Sequence, residues 1–325
     1  MLARATDKSG NARHRVAIAL IALLTLAGCE AYVPAPRAAP HAQTKAVSPP
    51  ATAPRSAKSQ ELARYYATLQ RDLLTRGLLR TDGGGPDTLF SADDLARNFE
   101  TIAFFDEYSR GGANPLRRPG TSGQLSRWNK PVRITTEFGA SVPPEQRQKD
   151  QASITKYADR LARITGHPIS AVKNNGNFYV FVAGEDDVDF VQARLKQLVP
   201  GISRAELNLF ANLPRSIYCL VVAVSDARAT QTYTRAVALI RAEHPDMVRL
   251  SCIHEEIAQG LGLPNDSPAA RPSIFNDDDE FAYLTNHDEL LLKMLYDPRL
   301  KPGMTAEQAR PVTRIIAREL MGQQL

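Results

Sequence analysis

The stretch His254-Glu255-Glu256-Ile257-Ala258-Gln259-Gly260-Leu261-Gly262-Leu263-Pro264-Asn265-Asp266 concentrates the side chains whose types and spacing suit chemistry. His254-Glu255 opens the zinc-site pattern H-E-x-x-H, in which two imidazoles share one helix face and the glutamate is a general base. That register fails, because the second ligand position holds Ala258, which binds no metal. At about 100° per residue, Leu250, Ile253, Ile257 and Leu261 form one apolar helix face. Glu255, Glu256 and Gln259 lie together on the opposite face, near Cys252. His254 falls beside the apolar stripe and reads as a structural or solvent-edge histidine. Glu256 is the candidate general base, and it needs a metal or other cation to polarise its water. Other groups carry less. Asn276-Asp277-Asp278-Asp279-Glu280 is acidic but lacks the D-x-D-x-D-G spacing of a calcium loop, and reads as a solvated loop. Asp288 after Thr285 reads as a helix cap, with His287 beside it. No G-x-S-x-G elbow accompanies a serine. Gly83-Gly84-Gly85-Pro86 lacks the Lys-Ser/Thr of a phosphate loop and is a linker.

The elements that must position these residues follow from periodicity. A helix capped near Ser59 carries Leu62, Tyr65, Tyr66, Leu69 and Leu73, and a second, started by Ser91 and Asp94, carries Leu95, Phe99, Ile102 and Phe105. Residues 131–138 read as a half-buried strand, 149–165 as a helix, 177–182 as a strand and 186–198 as a helix. The run Ile217 to Val224 is continuously apolar, which predicts a central strand. Thr234 to Ile240 reads as a further short strand. A helix runs from Asp246 to about Leu261, and Thr285 caps a final long one through Leu290, Leu291, Met294, Leu295 and Tyr296. Trp128, the sole tryptophan, is expected to anchor the core.

Shifted by one residue, Glu255, Glu256, Gln259, Gly262 and Asn265 occupy the five key places of H-E-x-x-H-x-x-G-x-x-H. Gly262 would permit a turn that swings Asn265 back toward Glu255 and Gln259. Ser273-Ile274-Phe275-Asn276 resembles the S-I-M-x turn of metzincin proteases. Leu284-Thr285-Asn286-His287-Asp288, with Leu295-Tyr296, resembles their L-T-x-x-D…L-Y segment, and Trp128 to Ile134 resembles the first strand of matrixin-like enzymes. The combination E-E-x-x-Q-x-L-G-L-x-N-D, S-I-F-N-D and T-x-H-D-E-L-L-L is similar to an uncharacterised family of proteobacterial envelope proteins, domain of unknown function 2927, over about residues 95–305. The resemblances imply an α+β, zincin-like fold: one twisted mixed sheet, an active-site-type helix and a mainly helical C-terminal part. They imply a site with Glu255, Gln259 and Asn265 in the metal-ligand places. One carboxylate and two amides form an all-oxygen set that suits a hard divalent cation rather than zinc, or holds no metal. The expected function is a non-catalytic pseudoprotease that binds a peptide or envelope protein along an edge strand, with 234–240 as the candidate strand. The alternative is an atypical metal-dependent hydrolase or peptidase with Glu256 as general base.

The N-terminus supplies an address. Residues 4–15 are basic and polar, and Val16 to Ala27 is apolar but short of the ~20 residues of a membrane-spanning helix. Leu26-Ala27-Gly28-Cys29 resembles a bacterial lipobox, which makes Cys29 the lipidation site and residues 1–28 the signal peptide. Glu30, in place of Asp, points by the same resemblance to the outer membrane facing the periplasm, with the lipid as the membrane partner. Residues 29–57 are an Ala/Pro-rich tether, residues 58–124 an N-terminal helical region and residues 125–325 the zincin-like domain. Cys219 and Cys252 remain, and an oxidising compartment predicts a disulfide between them, with two buried thiols as the alternative. The 325 residues carry a formal charge of +5, of which +3 falls in the first 28, so bulk charge makes no case for nucleic acid. With hydrophobic residues at 43% and charged residues at 23%, the chain is neither a polytopic membrane protein nor wholly disordered.

Overall fold

The computed structural model describes residues 54–105, 123–199, 201–226 and 229–323. The expected signal peptide, Cys29 and all but the end of the tether lie outside the described residues. In chain order the elements are α1 (Ala57–Thr75), α2 (Ala92–Ala103), β1 (Arg127–Trp128), β2 (Val132–Phe138), α3 (Pro144–Thr165), β3 (Ile169–Ala171), β4 (Phe178–Ala183), α4 (Val188–Leu198), α5 (Arg204–Ala211), β5 (Cys219–Asp226), β6 (Ala229–Arg241), α6 (Asp246–Gly262), α7 (Asn286–Leu295) and α8 (Ala306–Leu320). The architecture is mixed α/β, with one six-stranded sheet.

Within the sheet, β3, β2, β4 and β6 run parallel in that spatial order, with β1 parallel to the start of β6. β5 is antiparallel and pairs only with β6 among the described residues. The strands alternate with period two and bury both faces. Ile134, Phe178, Val180, Ala236, Ala238 and Ile240 join Ile154, Leu161, Ile253, Ile257 and Leu261 of α3 and α6 in the larger core. Phe181, Val237, Leu239 and Leu220 face the other way, onto Val191, Leu195 and Leu198 of α4 and Phe210 of α5.

Two strand assignments exchange places. The continuously apolar run expected at the centre of the sheet is β5, at its edge, and the segment 234–240 expected at an edge lies in β6, between β4 and β5. The reason is that hydropathy reports covered faces rather than paired edges. Cys219 and Ala223 join the α6 side while Leu220 joins the α4–α5 side, so β5 is apolar throughout without a second neighbour.

The helices follow their capping chemistry. Ser91 and Asp94 form a reciprocal capping box at α2, and Thr285 and Asp288 form one at α7. The N-cap of α1 is Ser56, three residues before the expected one; its hydroxyl accepts from the Ser59 N–H. Ser59 instead donates its hydroxyl to buried Glu243 at 2.8 Å. The helix after Thr285 is not the last, because α8 follows it and packs against α2 and α7.

Candidate functional site

The α6 helix buries its apolar stripe in the core, which leaves its polar face at a cavity of about 450 Å³. Glu255, Glu256 and Gln259 line this cavity from α6, as the helical wheel requires. Glu256 and Gln259 are 4% and 5% exposed. Cys219, the first residue of edge strand β5, lines the same space with Tyr218 before it. The far wall is the segment from Ile274 to Phe281, including Asp277 and Asp279.

The C-terminal end of α6 decides what returns to the polar face. Gly262 has φ +131°, and a Cβ there would collide with the Ser126 carbonyl oxygen. Only glycine suits that turn. The chain does swing back, but one residue later than expected. Asn265 turns toward α2: its side-chain amide donates to the Thr101 carbonyl at 3.0 Å and its N–H to the Ile102 carbonyl at 3.2 Å. It does not line the cavity, and Asp266 does. Gln259 donates from Nε2 to Asp266 Oδ1 at 3.3 Å. The structure therefore gathers Glu255, Glu256, Gln259 and Asp266, and places Asn265 apart from them.

The cavity wall is strongly acidic. Glu255, Glu256, Asp266, Asp277 and Asp279 line it, and none of its lining residues is basic. Burial, reinforced by neighbouring Asp278 and Asp277, pushes the Asp279 carboxyl above its ordinary range. Among the described residues, no group of three or more His, Cys, Asp or Glu side chains is placed to hold a metal ion. The donor set around α6 is carboxylate and amide oxygen, which does not fit the imidazole and thiolate preferences of zinc.

The run 276–280, expected as a solvated loop, is exposed at Asp277 and Asp278, and its Asn276, Asp277 and Asp279 also line the cavity. Asp279 adopts φ +58°, and its carbonyl accepts the Leu79 N–H at 2.9 Å. Arg80 and Arg271 clasp Glu280 at 3.0 and 2.6 Å. Asp277 and Asp279 belong to a charge run, which by itself reads as solvent-facing, and Asp266 follows Asn265, the residue expected in its place. The signal that would have found Asp266 was its neighbour: Asn-Asp after a turn offers two residues for one place.

Second-layer groups fix this wall. Asp288 does more than cap α7, because its carboxylate also accepts from Ser273 Oγ at 2.6 Å and the Ile274 N–H at 3.0 Å. The turn that brings Ile274 to the cavity wall is thereby fastened to α7. His287 does not line the cavity; it is fully buried, and its Nε2 accepts from the Asn98 amide at 3.1 Å. His254 is structural, as expected. It stacks on Tyr157 with ring centroids 4.0 Å apart, and its Nδ1 accepts the Leu284 N–H at 3.1 Å. Burial, and secondarily Arg160, depress its pKa to about 3. Trp128 is a core anchor whose Nε1 donates to the Gly260 carbonyl at 2.8 Å.

Cys219 and Cys252 form the expected disulfide, with Cα atoms 5.9 Å apart. It ties β5 to α6 along one wall of the cavity without filling it. His244 lies against it, with Nδ1 3.8 Å from Cys252 Sγ.

No curated protein matches the chain. The model of a family described as a protein of unknown function, DUF2927, matches residues 92–315, and the chain belongs to that family.

Proposed function

We propose that the protein is an exported envelope lipoprotein, anchored through Cys29 at the outer membrane and facing the periplasm. Its domain is zincin-like and works as a non-catalytic binding module, a pseudoprotease. The observation that carries this reading is the cleft itself: a cavity with five carboxylates and no basic lining residue, reached by the first residue of β5, a strand that pairs only with β6 among the described residues. An edge strand offers unpaired N–H and C=O groups to an extended segment. The carboxylates select that segment by charge, so the ligand is an extended peptide or protein segment with a cationic side chain. Support for the zincin-like comparison comes from the arrangement of parts. The first residue of the antiparallel strand β5, the helix with Glu256, Asp266 beyond the glycine turn and Ile274 of the Ser273–Phe275 turn line one cavity.

The test uses extended decapeptides alike in sequence except for a central Arg or Glu, titrated by fluorescence anisotropy. The Arg peptide binds, binds more weakly as salt rises, and loses about tenfold or more in affinity to the Glu256→Gln/Asp266→Asn protein. Equal binding of both peptides, or of neither, refutes the reading. A second reading, an atypical hydrolase, draws on Glu256 sharing the cavity with Glu255 and Asp266. It requires a stoichiometric hard divalent cation in protein purified without chelator and loss of hydrolysis in Glu256→Gln.

A further inference from the structure

A second concavity, opposite in character, lies between α2 and α8. It has a volume of about 240 Å³, and its charged lining is Arg97, Arg310, Arg314 and Arg318 against Asp93 and Glu100. A smaller hollow of about 210 Å³ continues past the first turn of α2 and shares Asp93 and Arg318 with it. Arg310, Arg314 and Arg318 stand four residues apart on α8, so they form one stripe along its face. Like charges at this spacing destabilise a helix by a few tenths of a kcal/mol per pair. The stripe therefore does not serve helix stability.

The arginines divide into two kinds. Arg310 is held by Glu100 across the groove, and Arg97 by Asp94 within α2. Arg314 and Arg318 are exposed and have no carboxylate partner among the described residues. The basic residues of α8 are all arginine. A guanidinium presents a planar fork that matches two oxygens of a phosphate, whereas an ammonium is a point charge. Two unpaired forks one turn apart, at the mouth of a concave groove, set a net positive site of small-molecule size.

We propose that the α2–α8 groove binds a phosphate-bearing anion, with Arg314 and Arg318 as its direct ligands and Glu100 holding Arg310 in place at the groove wall. The phosphate belongs either to a soluble compound or to a lipid headgroup; the chemistry of recognition is the same. This proposal is independent of the acidic cleft.

The test measures binding of inorganic pyrophosphate by calorimetry, and co-sedimentation with phosphatidylglycerol vesicles against phosphatidylcholine vesicles. The Arg314→Gln/Arg318→Gln protein is the comparison, with the Arg314→Lys/Arg318→Lys protein alongside. Both positions are exposed, so the variants keep the unfolding midpoint of the parent. Loss of two charged ligands predicts affinity weakened about 100-fold by the Gln pair, and partial retention by the Lys pair. Saturable pyrophosphate binding lost in the Gln pair supports the site and assigns a soluble ligand. Sedimentation with the anionic vesicles alone, lost in the same variant, supports it and assigns a headgroup. Binding to neither probe, or binding that the Gln pair leaves intact, overturns it.

Discussion

The bridge between Cys219 and Cys252 joins the edge strand β5 to the helix that carries Glu255 and Glu256, so removing it tests how the cleft is held. The two cysteines are 33 positions apart. Loop-closure entropy for a loop of that length gives about 3.7 kcal/mol at 25 °C. In a body of this size, 1 kcal/mol shifts the melting midpoint by about 2–4 °C, so reduction should lower it by about 7–15 °C. Replacing both residues by Ala adds the loss of buried sulfur, because the two sites are 7% and 2% exposed; that contributes about 1 kcal/mol each. Equilibrium urea unfolding of the oxidised protein with and without reductant reads the first figure, and the Cys219→Ala/Cys252→Ala protein reads the sum. A loss below about 1 kcal/mol on reduction, or two titratable thiols in the oxidised protein, would refute the reasoning. In that case β5 would owe its position to the two apolar faces alone.

Further expectations concern the elements around the cavity. Gly262→Ala forces a side chain into φ +131° against the Ser126 carbonyl, which predicts a loss of about 3 kcal/mol in urea unfolding; a loss under 1 kcal/mol would remove the turn's special role. Asp288→Ala strips acceptors from Ser273 Oγ and the Ile274 N–H in a fully buried place, and should cost about 3–5 kcal/mol by thermal melting; a near-neutral result would mean the Ser273–Phe275 turn holds itself. His254 has its folded pKa depressed to about 3, so the unfolded chain binds a proton that the folded one refuses. Its contribution is intact above about pH 6.5 and lost as pH falls, reaching about 2 kcal/mol by pH 5. Stability of the His254→Phe protein should therefore fall less steeply between pH 6 and 4, by about 1.4 kcal/mol per pH unit; parallel slopes, or an imidazole titrating near 6.5 by NMR, would contradict the buried stack on Tyr157.

What the sequence disclosed followed from local rules. The wheel placed Glu255, Glu256 and Gln259 on one polar face because an α-helix has a fixed period, and the caps at Ser91 and Thr285 identified themselves by reciprocal bonding. Local rules end where the period ends. After Gly262 the chain leaves helical geometry, and no wheel says whether Asn265 or Asp266 comes back to the site; the Thr101 and Ile102 carbonyls of α2 decide it by capturing Asn265. The exchange of β5 and β6 has a comparable cause, since pairing depends on neighbours far away in the chain. The C-terminal part is helical as expected, and α8 continues through Pro311, a residue that ordinarily breaks a helix interior. The acidic run 276–280 is held at the cavity by partners such as Leu79, Arg80 and Arg271, none of which its own composition announces.

Hydrogen–deuterium exchange of the protein with and without the Arg-containing decapeptide tests the binding account most directly. If the peptide adds to the open edge, amide exchange slows across residues 219–226 and in α6 around residues 255–259, and the Glu peptide leaves both unchanged. Protection confined to other elements, or an unprotected β5 in the saturated complex, would contradict it.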